Sequence, residues 1–177
     1  GSEIFLISDE PYRRIIFDGM SFPQVLPHYD NSVVVTSHAK DLALPGERIG
    51  HIAVNPAYEA REELMDGFTF CNRILGFVNA PALMQHAIRA LQGVTVDVAD
   101  YQRKRDYLYG QLTEMGYSVF KPQGAFYMFP QSPIQDDVAF VAELARSRVL
   151  VVPGRGFGMP GHFRISYCFD DSTLEGS

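Results

Sequence analysis

Short apolar runs and longer helical patterns alternate along this chain, which predicts a mixed structure of strands and helices. Residues 4–7 form a short apolar run and residues 33–36 a β-branched run, and each is typical of a buried strand. A third run covers residues 52–54. The first half of the chain is therefore expected to contain a small sheet.

Three further apolar segments lie in the second half of the chain. Segments 117–120 and 124–129 flank a Lys-Pro-Gln-Gly turn, which favours a pair of antiparallel strands. Segment 149–152 reads as another strand and ends at Pro153-Gly154.

Helical periodicity appears in four places. One helix begins near Tyr58, and Pro81 opens a second as its first residue. Residues 97–115 give the clearest pattern, which stops at Gly116. A fourth helix begins at Asp136-Asp137, whose charges suit a helix N-terminus. Apolar residues of the third helix recur at helical spacing: Tyr101, Leu108, Leu112 and Met115.

The composition is that of an ordinary globular protein, with 46% hydrophobic and 20% charged residues. The net charge of −6 argues against nucleic acid as a partner. The basic triplet Arg103-Lys104-Arg105 is interpreted as a solvated helix face.

Cys71 and Cys168 form no disulfide framework and no C-x-x-C motif, so a reducing cytoplasm is expected. Residues 1–7 lack a basic segment and a long apolar core. They indicate neither a signal peptide nor a membrane span, and no membrane partner is expected.

Lys40 carries the candidate chemistry, because it follows the strand predicted at residues 33–36. It is either a solvated amine leaving the sheet or an amine of lowered pKa that forms a Schiff base with an aldehyde. Ser37 lies three residues before it and Arg48 eight after. A hydroxyl and a guanidinium near a reactive amine suit a phosphorylated carbonyl cofactor.

The pattern S-x-x-K at residues 37–40, followed by P-G-E-R-I-G at 45–50, resembles the lysine site of the class I/II aminotransferases. The resemblance covers nearly the whole chain. It implies pyridoxal 5′-phosphate as cofactor, with Lys40 as its Schiff-base lysine and with Ser37 and Arg48 on its phosphate. No metal ligand is implied.

The same resemblance assigns three further residues. Asp9 would pair with the pyridine nitrogen and Tyr12 with the phenolic oxygen of the cofactor, and Arg164 of an R-I-S-Y signature would bind the substrate carboxylate. Alternatively, Asp9 caps a turn before Pro11 and Arg164 is a structural arginine on an edge strand. His38, beside the lysine, is expected to have no direct role.

The family resemblance implies an α/β fold, fold type I of the pyridoxal-phosphate enzymes. Residues 1–96 would be the C-terminal part of the large domain, 97–116 a connecting helix, and 117–177 a truncated, α+β small domain. Family members are about twice as long, so the chain is interpreted as a C-terminal fragment, inactive alone, of a homodimeric protein.

The implied function is amino-group transfer between an amino acid and a 2-oxo acid. Two alternatives stay open: a carbon–sulfur lyase of the same fold, and a non-catalytic aminotransferase-like module that senses ligands or mediates interactions. Aspartate, alanine and aromatic amino acids all remain possible substrates.

Overall fold

The computed structural model describes residues 4–176 of the 177-residue chain. Part of the N-terminal segment interpreted above, residues 1–3, lies outside this range. The chain divides into two compact units. Unit 1 contains the chain up to Arg14 together with Ser21–Val96, and unit 2 contains Ile15–Met20 together with the chain from Asp97 onward. The segment Ile15–Met20 thus groups with residues that follow it by about 80 positions or more.

Unit 1 contains a sheet of three strands, β1 (Leu6–Asp9), β2 (Ser32–Ser37) and β3 (Gly50–Val54). Their order in the sheet is β1-β2-β3. Strands β1 and β2 are parallel, whereas β2 and β3 are antiparallel. The central strand buries Val33 and Val34, as the apolar pattern predicts.

The prediction that residues 4–7 form a buried strand is half wrong. Strand β1 exists, but Leu6 is 40% and Ile7 63% exposed. Within the described residues β1 pairs on one side only, with β2, so its other edge and much of its apolar surface stay open.

Three helices belong to unit 1: α1 (His38–Asp41), α2 (Arg61–Ile74) and α3 (Ala82–Ala90). A 3-10 helix, Pro45–Glu47, lies between α1 and β3. Helix α2 begins three residues later than Tyr58, where the pattern predicted its start. Pro81 precedes α3 as its N-cap residue instead of opening it, with an extended ψ of 131°.

Unit 2 contains three helices, a 3-10 helix and three short strands. They are α4 (Val98–Glu114), β4 (Tyr127–Met128), α5 (Asp137–Arg146), β5 (Val152–Pro153), the 3-10 helix (Gly154–Phe157), β6 (Phe163–Ser166) and α6 (Asp171–Glu175). The strands form a sheet with the order β4-β6-β5, in which both pairs are antiparallel. The buried core of unit 2 includes Phe17, Met128, Phe163 and Tyr167.

The predicted hairpin of residues 117–120 and 124–129 does not form. Residues 117–120 are irregular, and β4 pairs with β6 instead. The backbone of this segment is held by single contacts, such as the N–H of Gln131 donating to the carbonyl of Ser118 at 2.8 Å. The apolar pattern of this segment therefore reflects partial burial of its side chains and not the pairing of two neighbouring strands.

The interpretation of Arg103-Lys104-Arg105 as a solvated face holds for Arg103, which is 54% exposed, but is wrong for the other two residues. Arg105 is completely buried and Lys104 nearly so. Arg105 donates to both carboxylate oxygens of Asp18, at 2.6 and 2.7 Å. Lys104 Nζ lies 2.8 Å from Asp100 Oδ2, one helical turn away. Each buried cation of the triplet has an acidic partner, as burial of charge requires.

Among residues 4–176, no helix has the length and apolarity that a membrane crossing requires. The same residues contain no cluster of histidine, cysteine or acidic side chains arranged to hold a metal ion.

Candidate functional site

Lys40 lies on α1, a four-residue helix that follows β2 directly. Ser37, the last residue of β2, caps this helix: its Oγ accepts the N–H of Ala39 at 3.1 Å. Lys40 is half-buried, and its Nζ lies 6.0 Å from the centroid of the Tyr12 ring. The predicted lysine and the predicted tyrosine are therefore close in space, although they are 28 positions apart.

The sheet of unit 1 explains why these residues meet. Asp9 ends β1 and Ser37 ends β2, and because the two strands are parallel their carboxyl ends lie at one edge of the sheet. Strand β3 is antiparallel and begins at that edge with Gly50, which pairs with Ser37. Arg48 stands two residues earlier. Ligands of open α/β sheets commonly bind at such an edge.

Gly50 shows how closely the strands approach at this edge. A Cβ atom built on it would lie 2.3 Å from the carbonyl oxygen of Thr36, so no side chain fits there. Arg48 adopts a left-handed backbone conformation with φ of 50° and is exposed. Its Nη1 donates to the carbonyl of Pro45 at 3.0 Å. This turn places Arg48 two residues before Gly50, the residue that pairs with Ser37.

The functional groups at this edge fit a pyridoxal phosphate by their chemistry. An amine can bond to the carbonyl carbon, a carboxylate can pair with a protonated ring nitrogen, and a phenol can donate to the ring oxygen. A hydroxyl and a guanidinium can bind phosphate oxygens. The five residues are Asp9, Tyr12, Ser37, Lys40 and Arg48.

A buried carboxylate beside Lys40 was not anticipated from the sequence. Asp41 is only 6% exposed, and its Oδ2 lies 3.5 Å from Nη1 of Arg14. His38 Nδ1 lies 3.4 Å from Asp41 Oδ1 without hydrogen-bond geometry. In the sequence, the two polar residues His38 and Asp41 lie on either side of Lys40. Their identity alone does not reveal which of them is buried.

The His38 ring also lies 5.8 Å from the ring of His51, measured between centroids. Burial lowers the pKa of His51, and the neighbouring His38 and Arg13 lower it further. Of these two imidazoles, His51 is thus shifted towards its neutral form.

Arg164 lies in unit 2, on β6, and is half-buried. Its guanidinium carbon is 4.4 Å from the centroid of the Tyr127 ring and 4.2 Å from that of Phe157. Within residues 4–176 no carboxylate lies within ion-pair distance of it. The guanidinium is therefore packed against aromatic rings and not against a carboxylate of the described residues. Sequence reasoning identified the arginine but neither ring as its partner.

The model of the family "Aminotransferase class I and II" matches residues 1–176. Among curated proteins, the probable aspartate aminotransferase of Methanocaldococcus jannaschii is 31% identical, with 97% of this chain and 47% of that protein covered. The aspartate/prephenate aminotransferase of Thermus thermophilus is 33% identical, with 97% and 46% covered. The chain thus spans about half the length of the curated relatives it matches.

Solved structures of aminotransferases also resemble this chain over nearly its whole length. An amino transferase from Eubacterium rectale is 45% identical, with a TM-score of 0.91 over 97% of this chain and 43% of that one. An engineered Thermus thermophilus aspartate aminotransferase is 28% identical, with a TM-score of 0.82 over 98% and 46% of the two chains. The chain has the α/β fold of these proteins over the region that it shares with them, as the sequence predicts.

Proposed function

Because the chain belongs to the class I and II aminotransferases, we propose that the whole protein transfers an amino group between an amino acid and a 2-oxo acid, with pyridoxal 5′-phosphate as cofactor. The observation that carries this proposal is the position of Lys40, 6.0 Å from the Tyr12 ring at the carboxyl edge of β1 and β2. When bound, the cofactor supplies an electron sink for the bonds at the substrate's α-carbon.

The residues of unit 1 hold the cofactor in this proposal. Lys40 would hold the cofactor through its amine, and its Nζ would serve as the base that moves a proton at the substrate's α-carbon. Asp9 keeps the ring nitrogen protonated, and Tyr12 donates to the ring oxygen. Ser37 and Arg48 bind the phosphate.

Arg164 binds the carboxylate that all amino acids and 2-oxo acids share. Its planar fork can donate two parallel N–H groups to the two oxygens, which fixes the substrate's orientation as well as its position. The Tyr127 and Phe157 rings, 4.4 and 4.2 Å from the guanidinium carbon, support this role because they restrict the side chain without neutralising its charge.

The assay uses L-aspartate, L-phenylalanine and L-alanine, each with and without 2-oxoglutarate. Aspartate and aromatic substrates are included because curated relatives are named as aspartate and aromatic-amino-acid aminotransferases. We expect glutamate to form only when the 2-oxo acid is present. Ammonia release without an acceptor would indicate a lyase, and no reaction with any pair would contradict catalysis.

The residue assignment is tested in the same assay by Lys40→Ala, with Lys121→Ala as the matched control. Loss of the proton-carrying amine is expected to lower kcat by at least about a hundredfold. Lys121 is exposed and its Nζ lies 2.8 Å from Asp106 in unit 2, so its removal should leave kcat unchanged. Equal effects of the two substitutions would contradict the role of Lys40.

A further inference from the structure

The Arg164 guanidinium is packed against two aromatic rings that come from different elements of unit 2. Tyr127 lies on β4, which pairs with β6 so that Tyr127 is opposite Ser166. Arg164 lies two residues before Ser166 and so projects on the same face of the sheet, diagonal to Tyr127. Phe157 covers the guanidinium at 4.2 Å. One ring therefore belongs to the sheet and the other to a loop.

The loop that carries Phe157 is anchored by an ion pair with a buried carboxylate. Phe157 ends the 3-10 helix Gly154–Phe157. Arg155 in that helix donates to the side chain of Asp137 three times: through its backbone N–H at 2.9 Å, Nε at 3.0 Å and Nη2 at 2.8 Å. The Asp137 side chain is fully buried, whereas Arg155 is half exposed. The start of α5 thereby fixes both the backbone and the side chain of the loop.

The backbone of the same loop is also tightly packed. A Cβ atom on Gly154 would lie 2.3 Å from the carbonyl oxygen of Met159 and 2.6 Å from that of His162. Phe129 meets the Phe157 ring edge-on, with centroids 6.0 Å apart. The Phe157 ring is thus held by its anchored backbone and by a second aromatic ring.

We propose that Tyr127 and Phe157 are positioning residues that hold Arg164 in the orientation that binds the substrate carboxylate, and that Asp137 acts through Arg155 by fixing Phe157. This inference rests on the proposed function of Arg164. We call Tyr127, Phe157 and their anchor the arginine clamp.

The arginine clamp should lower the free-energy cost of binding the carboxylate. An arginine side chain has many rotamers, and ordering it at the moment of binding costs free energy. Two rings packed against the guanidinium remove part of that freedom beforehand. Since the same contact holds the carboxylate before and during the reaction, the clamp should affect KM and leave kcat nearly unchanged.

The test measures how well an amino acid protects Arg164 from phenylglyoxal, a reagent that modifies guanidinium groups. Modified positions are located by peptide mass mapping in the whole protein, so the readout is specific to Arg164 and needs no turnover. L-Aspartate, L-alanine and L-phenylalanine are titrated separately. The variants are Phe157→Leu, Tyr127→Leu and Asp137→Asn, and the control is Phe169→Leu, which removes an exposed ring of unit 2.

Loss of either ring is expected to raise the half-protecting concentration about three- to tenfold, and KM by the same factor. Asp137→Asn should shift both in the same direction, and combining it with Phe157→Leu should add little, because the two act through one ring. Phe169→Leu should change neither quantity.

Two negative results have different meanings. If an amino acid protects Arg164 in the parent protein and protects it equally in Phe157→Leu and Tyr127→Leu, the clamp is overturned and the carboxylate role of Arg164 stands. If none of the three amino acids protects Arg164 in the parent protein, the proposed role of Arg164 fails and the clamp fails with it.

Discussion

At the scale of single residues, Arg105 shows how a charge can be buried in this chain. Its guanidinium donates to both oxygens of Asp18 and to the carbonyl of Pro122 at 2.8 Å, and the Phe17 ring lies 4.8 Å from it. Asp18 lies 87 positions earlier in the chain. This contact ties the segment Ile15–Met20 to helix α4 within unit 2.

Asp18 makes the stability of unit 2 depend on pH. Its hydrogen bonds with Arg105 lower its pKa below the ordinary value near 4. The stabilisation is therefore complete above about pH 4 and is lost as the pH falls through the lowered pKa. Asp18→Asn should reduce the free energy of unfolding at neutral pH, and the difference from the parent should shrink as the pH falls below 4.

Urea unfolding at several pH values measures this difference. Asp66→Asn, on the exposed side of α2, controls for the loss of one negative charge. A difference for Asp18→Asn that stays constant from pH 7 to pH 2 would show that the ion pair does not contribute through the charge of Asp18.

The residues of the candidate site differ in how far the sequence could predict them. Ser37, Lys40 and Arg48 lie within twelve positions, so their spacing along the chain carries the signal. The partner of Arg105 is far away in sequence, and so is Tyr127, one of the two rings beside Arg164. Contacts of that kind depend on tertiary packing, which local patterns do not encode.

At the scale of elements, helix α4 was predictable because its signals are local. Asp97 caps it by accepting the N–H of Asp100 at 3.1 Å, and Gly116 follows its end with φ of 87°. The strands of unit 2 were less predictable, since β4 and β5 have two residues each and depend on pairing with β6. Two-residue strands have no periodicity of their own.

Two glycines of this helix region should respond in opposite directions to alanine. Gly110 lies inside α4 with open space where a Cβ would stand, so Gly110→Ala should stabilise by about 0.5–1 kcal/mol. Gly116 has a left-handed backbone, so Gly116→Ala should destabilise by about 1 kcal/mol. Urea unfolding followed by circular dichroism measures both, and a shift of the same sign in the two variants would contradict the assigned end of α4.

At the scale of the whole molecule, two compact units each hold part of the proposed machinery. Unit 1 brings its five candidate residues to one edge of a sheet, and unit 2 packs Arg164 against two rings. The family resemblance predicted this fold from motifs at both ends of the chain. The apolar pattern of residues 4–7 did not predict the exposure of β1, because an apolar strand looks the same in sequence whether or not a neighbour covers it.

The central claim is that Lys40 is the cofactor lysine, and the chain offers a sharp test because it contains three lysines. Lys104 and Lys121 each lie 2.8 Å from an aspartate oxygen in unit 2. The protein is incubated with pyridoxal phosphate, reduced with borohydride, digested and mapped by mass spectrometry. The account predicts a cofactor-derived mass on Lys40, absent from Lys40→Ala and retained in Lys121→Ala. Labelling spread equally over the three lysines, or confined to Lys104 and Lys121, would contradict it.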